Sequence, residues 1–360
     1  MVLSAAVSGG DRIVMQQENF DYAKSTRRKI VCLLAGCLIC AAGLVADIVV
    51  GPADLTFRDV FGVLLHLYDV PRHADVIIWS LRLPMALMAL LVGAALGMAG
   101  AGMQTILDNP LASPYTLGIS AGAGFGAALA IVTGLGALEF LGSFMIPASA
   151  FLFAALVSML IYLISKANRF TSETMILAGI GMLFLFQALQ SLMQYMASPE
   201  ALQNIVFWTM GSLEKAKWDN IAVVSAVVLI IFPLMLKESW RLTALKLGDE
   251  NAAGLGVNVE RLRLKLFVMI SVITAAAVSF VGTIGFIGIV SPHIARMLVG
   301  EDQRYFLPMA AVSGAAVLSL ASIASKTIQP GAVFPIGIVT AVIGVPFFFS
   351  LVTAKKGRWF

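Results

Sequence analysis

Apolar residues in this chain come in long blocks, not at every second or third position. The blocks fall at about 30–49, 82–106, 115–134, 145–165, 174–197, 219–236, 265–281, 284–299, 307–325 and 336–353. A helix needs about 20 apolar residues to cross ~30 Å of hydrocarbon, so the pattern predicts an all-α polytopic membrane protein with about ten transmembrane helices. The eighth block is short. It holds Pro292 and contains or follows Gly282, Gly285 and Gly288, which predicts a broken or re-entrant helix, tolerated only where protein or a cavity surrounds the backbone. Residues 1–29 read as a polar tail with partial helix, 30–353 as one membrane domain, and 354–360 as a second short tail.

Composition agrees. The chain is 59% hydrophobic and 12% charged, about half the charge of a soluble domain, with a mean hydropathy of +0.93. Its net charge of +4 does not point to nucleic acid, because the basic residues are spread through loops. With the N-terminus inside and ten alternating spans, 18 of the 24 Lys and Arg fall on inside segments. The other six, Arg58, Arg72, Arg82, Lys215, Lys217 and Lys326, fall outside. Such a bias is what positive-inside insertion produces, and it predicts a multi-pass protein with both termini cytoplasmic.

Several chemistries are missing. Cys32, Cys37 and Cys40 share the first block, and His66, His73 and His293 are scattered, so neither a disulfide framework nor a zinc site is indicated. Leu34-Ala35-Gly36-Cys37 resembles a lipoprotein cleavage signal, but the block runs on through Ala46 as an uncleaved span would. Asp47, Asp108, Glu139 and Glu173 sit at span ends or in loops, which disfavours an ion-coupled secondary carrier. No Walker phosphate loop, acid pair or Ser/His pair lies in the spans. The expectation is no catalytic residue, no metal, no cofactor, and energy supplied by another subunit.

Small residues recur at helical spacing. Gly118, Gly122 and Gly126, and likewise Gly93 and Gly97, lie on single helix faces where backbones can approach closely in lipid. Residues 237–265 form the longest inside connection, and Gly254 and Gly256 divide it into what read as two short amphipathic helices. On spacing alone this is either a solvated connector or a docking surface.

Five segments then resemble the FecCD-type permeases of ABC importers for iron–siderophore complexes, haem and vitamin B12. They are LRLPMALMALLVGAALGMAGAGMQTILDNPLASPYTLGISAGAGFGAALA from Leu81, the Trp208 to Trp218 connection with Gly211-Ser212-Leu213, LGDENAAGLGVNVERLR from Leu247, FVGTIGFIGIVSPHIARMLVGEDQRYFLP from Phe280, and FPIGIVTAVIGVPFF from Phe334. The resemblance implies a type II ABC importer bundle. It also implies pairing with a second permease chain, identical or a sister, two ATPase subunits on the cytoplasmic side and a periplasmic substrate-binding protein. By the same resemblance the coupling segment 246–263 would place Gly248, Asp249, Ala252, Ala253, Leu255 and Gly256 against the ATPase. Arg82 and Lys326 match positions that receive acidic residues of the binding protein, although the family's second Arg is Met85 here. Asn109 and Leu111 match the family's Asn-Pro-Leu turn at the cytoplasmic gate, Ser172 and Glu173 in a short polar stretch are a weaker gate candidate, and His293 and Arg296 are expected to satisfy broken-helix backbone. An iron(III)–siderophore complex is the expected cargo, with haem or vitamin B12 as alternatives.

Overall fold

A computed structural model describes the backbone of residues 9–353 apart from 54, 66–71, 135–141 and 330, and side chains from 24 to 349 apart from 142 and 143 as well. Glu139, His66 and the basic cluster Lys355, Lys356 and Arg358 lie outside the described residues. Every regular element among those described is helical. In chain order they are α1 (Gly9–Val49), α2 (Phe57–Leu65), α3 (Arg72–Ile77), α4 (Leu83–Leu107), α5 (Ile119–Val132), α6 (Gly142–Ala167), α7 (Ser172–Met196), α8 (Pro199–Met210), α9 (Trp218–Lys237), α10 (Ser239–Leu245), α11 (Asp249–Gly254), α12 (Val259–Val281), α13 (Ile287–Val299), α14 (Gln303–Thr327) and α15 (Ile336–Thr353).

Seven of these are long and apolar enough to cross a membrane: α1, α4 with α3 and a π-helical turn at Ile78–Arg82, α6, α7, α9, α12 and α14. Three shorter apolar helices, α5, α13 and α15, complete the ten expected stretches. At 1.5 Å per residue, the 14 residues of α5 and 13 of α13 reach only about 20 Å, less than the hydrocarbon thickness. The missing length is irregular chain.

The α12–α13 connection is broken as expected. Gly282 takes φ +78° and Phe286 takes φ +66°, a left-handed value that a bulky residue adopts only when packing enforces it. A second break lies between α4 and α5. Asp108 closes α4 in the left-handed region, and Pro110 and Pro114 prevent the helix from resuming before Ile119. This segment folds back into the bundle, where Ser113 nears Gly288 and Gly118 nears the backbone of Leu183 at mid-α7.

The centre of the bundle is α4, buried along nearly its whole length and packed most heavily on α14. Gly93 and Gly97 meet the backbone of Gly314 and Ala310, and Gly100 meets that of Gly288 in α13. A methyl group at any of the three would collide with a main-chain carbonyl that cannot swing aside. The Gly122 and Gly126 face of α5 packs on α6 at Phe153 and Ser149 in the same way. Where lipid removes the hydrophobic drive for helix association, such close van der Waals packing replaces it.

Short helices mark two faces. The lower face carries α10 and α11, and the upper face carries α2, α3 and α8. Helix α8 was not separately expected. Ser198 caps it by accepting from the Ala201 amide, and Pro199 occupies its first turn.

Candidate functional site: the lower face and the α4–α5 turn

The α10–α11 segment lies beneath the lower ends of α4 and α12. Gly248 and Gly256 flank α11 at φ +96° and +83°, where any side chain would strain the backbone. Between them the short helix Asp249–Gly254 presents an exposed surface that includes Asp249, Ala253 and Leu255, the last 52% exposed. Ala252 corrects the sequence expectation. Its side chain is fully buried, because it faces inward at the one position where α11 must sit tightly on the bundle.

Arg263 lies directly above, in the first turns of α12 and 5% exposed. Its guanidinium donates to four residues at once. Nη1 and Nη2 reach the two carboxylate oxygens of Asp249 at 2.8 and 2.9 Å, a bidentate pair. Nε donates to the Ile106 carbonyl at 2.8 Å, Nη1 to the Phe170 carbonyl at 3.3 Å, and Nη2 to Ser172 Oγ at 3.0 Å. The Phe170 carbonyl is positioned by two consecutive left-handed residues, Arg169 at φ +55° and Phe170 at φ +53°. Non-glycine residues hold that conformation at a cost of order 1–3 kcal/mol each. The buried Phe170 ring packs 5.5 Å from Tyr162.

A second set of contacts grips α4 from the other side. Lys246, at the end of α10, pairs with Asp108 at 2.8 Å. Glu301 faces both Lys246, at 3.9 Å, and Arg296, at 3.1 Å. Arg296 also donates to Gln104 Oε1 at 3.2 Å. Arg296 thus binds side chains of α4 and the α13–α14 loop, not the broken-helix backbone expected of it, because Glu301 follows α13 closely enough to reach it. Behind this set, Glu238 at the α9–α10 junction accepts from both Arg241 and Lys265. Burial would raise the Glu238 pKa, but the hydrogen bonds and charges of Lys265 and Arg241 outweigh it and hold the carboxyl below its ordinary value.

Between the two grips the chain turns. The Asn109 amide caps α4 on the Gln104 carbonyl, and Asn109 Oδ1 accepts from the Leu111 amide at 2.9 Å. Leu111 is thereby turned out, half exposed, into an open groove of about 720 Å³. Tyr115, Phe286, Val345 and Phe349 line the same groove. Ser172 belongs to the Arg263 cluster, while Glu173, one residue on, is exposed in the first turn of α7. Among the described residues no cluster of His, Cys, Asp or Glu could hold a metal ion.

On the upper face, Arg82 and Lys326 are not presented as the sequence suggested. Arg82 is 4% exposed, and its guanidinium caps the end of α1 by donating to the carbonyls of Ile48, Val49 and Ala53. Lys326 is 5% exposed and donates to the Asp47 carboxylate at 2.7 Å and to the Asp47 carbonyl at 2.9 Å. Neither is a free surface cation in this structure. Asp47 is close enough to consume the Lys326 charge although 279 residues separate them.

The family model for the FecCD transport family matches residues 38–354. The chain belongs to the FecCD transport family. This FecCD chain is 35% identical to the hemin transport system permease protein of Yersinia pestis, over 85% of this chain and 90% of that one. It is also 35% identical to an Fe(3+)-citrate import system permease protein of Bacillus subtilis, over 91% and 97% of the two chains. Its fold matches a solved structure described as "an inward-facing conformation of a putative metal-chelate type ABC transporter", with a TM-score of 0.79 and 31% identity over 90% of this chain and 99% of that one. It is thus a multi-pass ABC importer permease for a cargo of the iron-chelate, haem or vitamin B12 class, and such permeases work with ATPase and substrate-binding partners.

Proposed function

We propose that this chain moves an iron(III)–siderophore complex from periplasm to cytoplasm, as one of two permease chains driven by a separate ATPase pair. The lower face is then cytoplasmic, in keeping with its share of Lys and Arg. The observation that carries the reading is the placement of α11. An exposed helix set between two left-handed glycines lies against the start of α12 and the end of α10, where a soluble subunit can push on it. Gly248, Asp249, Ala253, Leu255 and Gly256 form the contact.

The groove beside Leu111 supports a paired pathway. It is open on one side, and a second permease chain would close it. Its apolar lining suits a bulky chelate that keeps its own iron ligated and asks for no metal ligand from the protein. The substrate-binding protein would sit on the upper face, over the elements that Arg82 and Lys326 hold in place. Identity does not choose the cargo, since relatives equally similar to this chain are named for haem and for ferric citrate.

Uptake of radiolabelled ferric chelates, haem and corrinoid by a deletion strain carrying this chain tests the proposal. Import of a ferric hydroxamate, catecholate or citrate is expected. Restoration of haem or corrinoid uptake alone would replace the cargo, and restoration of none would end the iron reading. A Gly256→Trp variant should lose uptake of whichever cargo the parent restores.

A further inference from the structure

Beyond the surface proposed to meet the ATPase, a route is needed from α11 to the groove. The Asn109–Leu111 turn belongs to the α4–α5 connection, and Ser172 opens α7, so neither is part of α11. Arg263 is the group in common. Its donors end on Asp249 of α11, on the Ile106 carbonyl in the last turn of α4, on the Phe170 carbonyl in the α6–α7 loop, and on Ser172 at the start of α7. Ile106 is three residues before Asn109, so a shift of the Ile106 carbonyl is a shift of the turn that aims Leu111 into the groove.

The chemistry of the residue fits this task. Guanidinium is planar and carries five donors in a fixed fork, so moving one acceptor either rotates the fork or breaks a bond elsewhere. A lysine would keep the charge on Asp249 but could not span these acceptors. Burial strengthens the linkage further, because an abandoned carbonyl would be left unpaired away from water. The bridge is buried at its arginine end and half exposed at Asp249, whose side chain is 52% exposed. A partner can therefore disturb it from outside.

We propose that Arg263 is the positioning residue that transmits movement of α11 to the α4–α5 turn and to the start of α7. The inference rests on the proposed function, since it takes α11 as the ATPase contact.

The test needs no cargo. Cys32, Cys37 and Cys40 are replaced by Ala, Leu111→Cys is introduced, and the complete transporter with its co-purifying ATPase is reconstituted in lipid. The rate of N-ethylmaleimide labelling is compared without nucleotide and with ATP plus vanadate. In the Arg263 parent, nucleotide should change the rate about fivefold or more, the range of coupling between linked sites. In Arg263→Lys the ATPase should still co-purify at parental stoichiometry while the nucleotide effect falls to near unity. Ser172→Ala, which removes a single acceptor, should give an intermediate response. Should Arg263→Lys fail to fold, the Ser172→Ala response decides. A parental nucleotide effect in whichever variant decides would overturn the proposal. Absence of a bound ATPase, or of any nucleotide effect in the parent, would instead refute the proposed function and take this inference with it.

Discussion

The two faces of the bundle use the same ion-pair chemistry to opposite ends. On the upper face, Asp47, Ser322, Lys326 and Arg82 tie α1, α14 and the start of α4 into a sealed knot, with the Lys326 side chain 1% and the Asp47 side chain 0% exposed. On the lower face three bridges pair a more shielded group with a more open one: Arg263 with Asp249, Lys246 with Asp108, Glu238 with Lys265. A sealed pair pays heavily if one partner is lost, because the other is stranded. A half-open pair can exchange its partner for water and so can be remade. The difference separates a region built to stay fixed from one built to move.

The largest effect should come from breaking the sealed knot. Lys326→Ala strands the Asp47 carboxylate, and a loss of roughly 3–5 kcal/mol is expected, seen as a sharp drop in melting temperature of the detergent-solubilised protein. Replacing the pair together, Asp47→Leu with Lys326→Met, should recover most of that loss. If the double variant is as unstable as the single, the stranded charge is not the cause.

Acidification should sharpen the contrast at Glu238. Its depressed pKa means that the tie between α9 and α12 is fully present above the ordinary glutamate value of ~4.3 and is lost as pH falls through the lower folded value. Melting temperature should therefore fall more steeply below that pH in the parent than in Glu238→Gln. Parallel curves would mean that Glu238 is not the group responsible.

The smallest stability effect should come from Asp249→Asn, a change of about 1 kcal/mol or less because the carboxylate is half exposed. Its transport defect should nonetheless be large. A melting temperature that fell as far as for Lys326→Ala would erase the distinction between the faces.

Hydropathy located the seven long spans and the three shorter apolar helices alike, because lipid and the packed bundle both favour apolar residues along a helix. It also marked the break before α13, where Gly282 announces itself, whereas Pro292 sits inside α13 without ending it. The second break was only partly visible. Pro110 and Pro114 signal a stop, but nothing local says that the following chain folds back against Gly288. The charged residues were least legible. Arg263 counted only as one more inside cation, since its acceptors come from three other segments up to 157 residues away. Arg82 and Lys326 sat at the correct span ends, but a sequence cannot say whether a charge there points outward or finds Asp47. Ala252 differs from Ala253 only in which way it faces, and one turn of an amphipathic helix is too short to reveal that.

The glycine contacts of α4 carry a mechanical consequence. At Gly93, Gly97 and Gly100 this helix touches α14 and α13 main chain to main chain, with no side chains between them to shear or repack. Backbones in such contact behave as a welded strut. Movement that opens and closes beside Leu111 is therefore expected to leave these three contacts intact and to turn about α4, α13 and α14 as a stator.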